Sequence, residues 1–170
     1  NGIINRDAAY VATSVESLAS DSNGGNDAGV DGGAGNDTII GGYGNDDLSG
    51  SSGDDIVIGD NGSVKAGQIV SNDVGNGGSD TIDGGTGRDL IIGGSSGDAS
   101  IAGGSGHNVI LGDNGSIITT GTSLSAPGDV TLVAAADYAY GGSDASITAG
   151  GGDDVIIGGV GNDTITAGEG

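Results

Sequence analysis

GGAGNDTIIGGYGNDDLSG, residues Gly32 to Gly50, holds two glycine pairs nine residues apart, each followed four residues later by an aspartate, Asp37 and then Asp46. Working outward, the same frame G-G-x-G-x-D-x-U-x, with U large and aliphatic, recurs at 84–92 (GGTGRDLII) and 158–166 (GGVGNDTIT). Looser copies occupy 50–58, 75–83, 103–111 and 149–157. A ten-residue variant places one extra residue after Asp27, Asp98 and Asp144. Glycine loosens a chain and acids repel one another, so a repeat that keeps both on one period needs a physical cause.

A longer period lies above the short one. GDNG at Gly59–Gly62 returns at Gly112–Gly115, and the opening Asn1-Gly2 matches its second half. Three units follow: 1–60, 61–113 and 114–170. Each pairs a leader (1–22, 61–74, 114–140) with a run of nonapeptides (23–60, 75–113, 141–170). The chain opens part-way through one signature and stops within a turn, so we expect a segment of a longer tandem array. SVKAGQIVS (63–71) and the stretch 116–135 alternate β-formers around Gly or Pro-Gly breaks, which are hairpin signals. Periodicity leaves the first leader, with AAYVATSVESLA, open between strand and short helix.

Composition narrows the function. The 170 residues contain 41 Gly and one Pro, with no Cys, Met, Phe or Trp, and carry a formal charge of −21. Few aromatics and high charge are the signature of disorder. Yet Ile, Val and Leu cluster as TII, IVI, LII, VIL and VII, so something orders the chain. A chain this acidic repels nucleic-acid phosphate and anionic membrane surfaces. No apolar run approaches the length of a membrane helix, and no disulfide framework is available. Small cations are the natural partner.

The repeat itself says how. In DTII or DLII the aliphatic residue two beyond Asp is mid-strand, aimed to one face by alternation. G-G-x-G then turns the chain, because glycine accepts positive φ. Two such halves make a coil with two short parallel strands, an all-β solenoid whose thin aliphatic core has no room for aromatics. Asp37 falls over Asp55 and Asp80 over Asp98, while the longer variant sets Asp27 over Asp46 and Asp144 over Asp163. Stacked carboxylates repel by roughly 4 kcal/mol at a near-surface dielectric. A cation between the rungs removes that cost. Calcium suits the oxygens of carboxylates and turn carbonyls; zinc does not, with no Cys and His107 alone.

The phased GGxGxD copies resemble the calcium-binding repeat of the RTX (repeats-in-toxin, haemolysin-type) family. The resemblance covers roughly two thirds of the chain, leaving out the leaders. It implies a parallel β-roll with several Ca²⁺ ions between successive turns, and export by a bacterial type I secretion machine. Carried onto this chain, the metal candidates are Asp27, Asp37, Asp46, Asp55, Asp80, Asp89, Asp98, Asp144, Asp154 and Asp163, with Asn108 in the same slot. The turn glycines Gly35, Gly44, Gly53, Gly87 and Gly161 join them, and Asp60 and Asp113 of GDNG are further candidates. Asn108 stands where the repeat has Asp, so the site it shares with Asp89 is expected to be weaker or differently ligated.

The neighbouring acids Asp47, Asp54 and Asp153 fall one place off this register and read as solvent-facing charge. Acid pairs such as Asp54-Asp55 lack a convergent His, Lys or Tyr, so we expect no enzyme. His107 and Arg88 read as surface residues, the latter shielding carboxylates. Tyr138 and Tyr140 are expected to pack where a leader rejoins the roll. The leaders read as hairpins that brace the roll, with contacts to neighbouring copies as a further possibility. The expected function is a rigid calcium-binding segment of a large secreted or surface protein, of adhesin, surface-layer or filament type. The alternative is the tail of a secreted enzyme or toxin. Ice binding is a weaker third reading, since the third position (Ala34, Tyr43, Ser52, Thr86, Ser105, Val160) offers no regular row of threonines.

Overall fold

A computed structural model describes residues 2–6, 12–17, 25–72, 75–124, 128–136 and 140–170. Within them every regular element is a strand. The first unit contributes β1 (Gly2–Arg6), β2 (Ala12–Ser17), β3 (Val30–Asp31), β4 (Thr38–Ile40), β5 (Asp47–Ser49) and β6 (Ile56–Ile58). The second contributes β7 (Gly62–Lys65), β8 (Gln68–Ser71), β9 (Thr81–Asp83), β10 (Leu90–Gly94), β11 (Ser100–Ala102) and β12 (Val109–Asp113). The third contributes β13 (Gly115–Thr119), β14 (Val130–Ala135), β15 (Ile147–Thr148), β16 (Val155–Ile157) and β17 (Ile165–Thr166).

The nonapeptide strands form two parallel sheets, as the repeat predicts. One runs β4-β6-β10-β12-β16 and the other β3-β5-β9-β11-β15-β17. Register keeps each aliphatic U residue over its counterpart: Ile39 pairs with Val57, Val57 with Ile91, Ile91 with Ile110 and Ile110 with Ile156. Across the roll, Leu48 pairs with Ile82, Ile82 with Ile101 and Ile101 with Ile147. These side chains meet inside the roll as one buried cluster. Burying each gains about 1.5–3 kcal/mol. The chain is an all-β parallel β-roll.

The leaders build a third layer. Each gives an antiparallel hairpin, β1-β2, β7-β8 and β13-β14. The ambiguous segment of the first leader contains the strand β2. The hairpins then join edge to edge: Val15 pairs with Val64 and Ile117 with Ile69, giving a single six-stranded sheet. That sheet lies over the five-stranded one, and the reason is visible in sequence. On β6, β10 and β12 the residues flanking U are Ile56 and Ile58, Leu90 and Ile92, Val109 and Leu111, so both faces of the sheet are apolar. On β5 and β9 the same places hold Asp47 and Ser49, Thr81 and Asp83, which suit water. The outward aliphatics pack with Val64, Ile69 and Ile117 of the hairpins into a second buried cluster.

The leaders' roots are tied as well. Asn114 Nδ2 donates to the Tyr140 carbonyl at 2.9 Å, beside the point where the third hairpin returns. The Tyr140 ring packs on Gly75, as expected for a junction residue, while Tyr138 lies outside the described residues. Arg88 is half-buried and Nη1 donates to the Gly128 carbonyl at 2.7 Å, so it tethers the third leader.

If the second core is as real as the first, Ile92→Ala at saturating calcium should cost about 2–5 kcal/mol by denaturant unfolding. Val155→Ala, at a place in β16 that is 48% exposed, should stay within about 0.5 kcal/mol. Equal, small losses at both positions would mean that the hairpins are only loops.

Candidate metal centres in the turn columns

Each nonapeptide aspartate ends a glycine turn and starts a strand, so parallel stacking of the strands must also stack the acids. The structure places the sixth-position side chains in two columns. In the first, the backbone N–H of Asp27 donates to Oδ1 of Asp46, Asp46 to Asp80, Asp80 to Asp98, Asp98 to Asp144 and Asp144 to Asp163, at 2.7–3.1 Å. In the second, Asp37 donates to Asp55, Asp55 to Asp89, Asp89 to Asn108 and Asn108 to Asp154, at 2.7–3.0 Å. The columns continue past the leaders: Asp46 to Asp80 skips 34 residues and Asp98 to Asp144 skips 46.

One oxygen of each acid after Asp27 and Asp37, the first of their columns, is thus satisfied. The other is not. Oδ2 of Asp37, Asp46, Asp55, Asp80, Asp89, Asp98, Asp144 and Asp154 is buried with no hydrogen-bond partner. An orphaned buried carboxylate oxygen costs more than any single hydrogen bond returns. The first glycine of each turn shows what surrounds it. A Cβ built on Gly50 would lie 2.5 Å from Asp55 Oδ2 and 2.6 Å from the Gly84 carbonyl. On Gly84 it would lie 2.7 Å from both Asp89 Oδ2 and the Gly103 carbonyl. Gly32, Gly41, Gly59, Gly93 and Gly112 repeat the arrangement with Asp37, Asp46, Asp80, Asp98 and Asp144. A carboxylate oxygen and a carbonyl oxygen from the next coil therefore border one small space, kept open because glycine has no side chain there.

The donor set is all oxygen, which suits a hard cation and excludes a thiolate or imidazole metal. Among the described residues no three His, Cys, Asp or Glu side chains converge, so backbone carbonyls must complete any coordination shell. Calcium fits that chemistry. When bound it would supply positive charge to the orphaned oxygens, while the chain's own N–H groups hold the opposite oxygens in place.

The first-position glycines escaped the sequence reading, which named Gly35, Gly44, Gly53, Gly87 and Gly161 instead. Those fourth-position glycines have φ between 107° and 133° and let the coils approach: a Cβ on Gly53 or Gly87 would run into the preceding coil's backbone. First-position glycines such as Gly50 and Gly84 have no positive φ. Their need for glycine is space beside the carboxylate, which a repeat pattern alone does not reveal. Asp27 is exposed at the start of its column, and Asp163 is half-buried at the end of the same column.

Asp60 and Asp113 sit elsewhere. Oδ1 of Asp60 accepts the Gly78 N–H at 2.9 Å, and Oδ2 accepts that of Ser95. Asp113 repeats this with Gly142 and Val160. Both close the neck where a hairpin leaves and re-enters the roll, and neither leaves an oxygen orphaned. Asp47, Asp54 and Asp153 are exposed as expected, although Asp54 Oδ1 also accepts the Arg88 N–H at 2.9 Å. His107 is exposed, and Nδ1 accepts the Asp153 N–H at 2.9 Å.

Burial pushes the column acids up, with neighbouring acids adding to the rise and backbone N–H groups opposing it. Asp98 reaches about 9, Asp80 about 7, and Asp89 and Asp144 about 6; Asp46 and Asp55 also rise. Because the folded values exceed the unfolded value near 4, the ion-free roll holds protons that the unfolded chain has released. Its stability is therefore greatest below about pH 4 and falls as pH rises towards 9. In calcium-free buffer, circular dichroism should show more β-structure at pH 4 than at pH 8. Equal ion-free spectra at the two pH values would contradict this.

A model of the RTX calcium-binding nonapeptide repeat matches residues 31–63, 74–99, 94–116 and 140–170, in four copies. Searches among curated proteins and among solved structures found no match. With the period, the roll and the matched repeats in agreement over well more than half its length, the chain belongs to the RTX calcium-binding nonapeptide repeat family.

Proposed function

We propose that this chain is a non-catalytic rod segment of a large secreted or cell-surface bacterial protein, of adhesin, surface-layer or filament type, that folds and stiffens on binding several Ca²⁺ ions. The observation that carries the reading is the pair of columns running unbroken past both later leaders, with an orphaned oxygen at step after step. Calcium between rungs would neutralise a chain of formal charge −21 while locking each coil to the next. A solenoid in which each coil touches only its neighbours is stiff along its axis when every step is closed. The fused hairpin sheet supports the same reading, because it ties consecutive units side by side.

The functional cycle follows from the chemistry. Where calcium is scarce the acids repel and the chain stays unfolded, the state a type I secretion channel passes. Extracellular calcium then folds it outside the cell. Titrating calcium into the ion-free chain at neutral pH should convert a coil-like spectrum to a β-rich one at roughly 10⁻⁴–10⁻³ M, with magnesium failing to substitute. Small-angle scattering should show the expanded coil becoming a narrow rod. Asp37→Ala should raise the calcium midpoint several-fold, whereas Asp47→Ala should leave it nearly unchanged. A β-rich spectrum that persists in EDTA at neutral pH would contradict ion-driven folding. Cell fractionation that finds the full-length protein only inside the cell would overturn the location.

A further inference from the structure

The second column contains one rung of different chemistry, and the space beside it differs accordingly. At Gly50 and Gly84 the space is bordered by two acceptors, a carboxylate Oδ2 and the next coil's carbonyl, neither of which can donate to the other. At Gly103 the same space lies 2.8 Å from Nδ2 of Asn108 and 2.7 Å from the Ala149 carbonyl. There Nδ2 donates to that carbonyl at 3.3 Å. Asn108 Oδ1 meanwhile accepts the Asp89 N–H at 3.0 Å, the same bond that Oδ1 of Asp55, Asp89 and Asp154 accepts in that column. This second bond fixes the amide orientation. Flipping it would set NH₂ against N–H on one side and C=O against C=O on the other.

We infer that the step between the turns ending in Asn108 and Asp154 is a metal-free rung, closed by the Asn108 amide where the other rungs are closed by calcium. The inference rests on the calcium reading of those other turns. Asn108 is fully buried, and its polar atoms are both used. A hard cation entering beside Gly103 would meet amide hydrogens instead of an anionic oxygen. The site that Asn108 alters is therefore the one towards Ala149. The neighbouring step keeps an anionic oxygen on Asp89, whose Oδ2 is orphaned like the rest.

The position gives the substitution a use. Asn108 N–H reaches Asp154 across 46 residues, past the third leader. In the folded roll this rung holds two coils in register around that excursion without an ion of its own. It also takes one negative charge out of the middle of the column.

The test is calcium stoichiometry on the full chain, measured by equilibrium dialysis at saturating calcium with circular dichroism to confirm folding. Asn108→Asp should bind one calcium more per chain than the wild type. Asp89→Asn, which copies the amide rung one coil earlier, should bind one fewer and still reach a β-rich spectrum. A folded Asn108→Asp with wild-type stoichiometry would overturn the inference, as would a folded Asp89→Asn that loses no ion. Should Asn108→Asp fail to fold, the Asp89→Asn count alone decides. A wild-type chain that binds no calcium overturns the parent reading and this one together, which is a different result from an unchanged count.

Discussion

Parallel stacking of short strands forces the aspartates of this protein into dry columns one coil apart, and most of the structure answers to that constraint. Strands are about 4.8 Å apart in a sheet, so adjacent acids face each other at a separation where repulsion at near-surface dielectric is roughly 3–4 kcal/mol. Each coil gains about 1.5–3 kcal/mol from each of its two inward aliphatics, and it must still order a glycine-rich backbone. A core this thin leaves little to offset the repulsion. Backbone N–H groups hold one oxygen of each acid beyond the first in its column, while the other faces the carbonyl of the next coil. The glycine at the head of each turn keeps that space free. Composition, turn chemistry and acidity are three consequences of one geometry.

The fold contains three ways to bury a sixth-position or GDNG side chain, and they differ in what completes the hydrogen bonding. The column acids keep an oxygen that no group of the chain donates to. Asp60 and Asp113 give both oxygens to backbone N–H groups at the necks of the hairpins. Asn108 supplies its own donor. The contrast separates burial from an open oxygen: burial raises Asp60, to about 8, while both of its oxygens already accept N–H groups. Desolvation acts on any buried acid, whereas a metal site also needs an oxygen with nothing else to bind.

Much of this was legible from the period. Nine residues, one Asp and one aliphatic U fix the coil, the inward core and the pairing of Asp37 with Asp55 or Asp27 with Asp46, because parallel strands admit no other register once the U residues are buried. The continuity of the columns past the leaders was not legible, since nothing local says that Asp46 and Asp80 meet across 34 residues. The roles of Gly50 and Gly84 were hidden because glycine at positive φ and glycine in a tight space look identical in sequence. The second core could have been read and was not. Ile56, Ile58, Leu90, Ile92, Val109 and Leu111 flank U only in alternate nonapeptides, which marks one sheet as covered on both faces.

The same alternation accounts for the 53-residue period. The middle unit adds β10 and β12 to one parallel sheet, β9 and β11 to the other, and β7 and β8 to the hairpin layer. In the first and middle units every layer grows by two strands. Spacing between hydrogen-bonded strands is nearly the same whether they are parallel or antiparallel, so the three layers advance in step and the second core stays packed from one unit to the next. A leader with a single strand would fall behind the roll, and one with three would outrun it. Leader sequence and turn length are free to vary, as the Ala66-Gly67 turn of the second hairpin and the longer connection of the third show, but strand number is not. A hairpin every two coils is therefore what lets a thin roll carry a continuous aliphatic layer along its side.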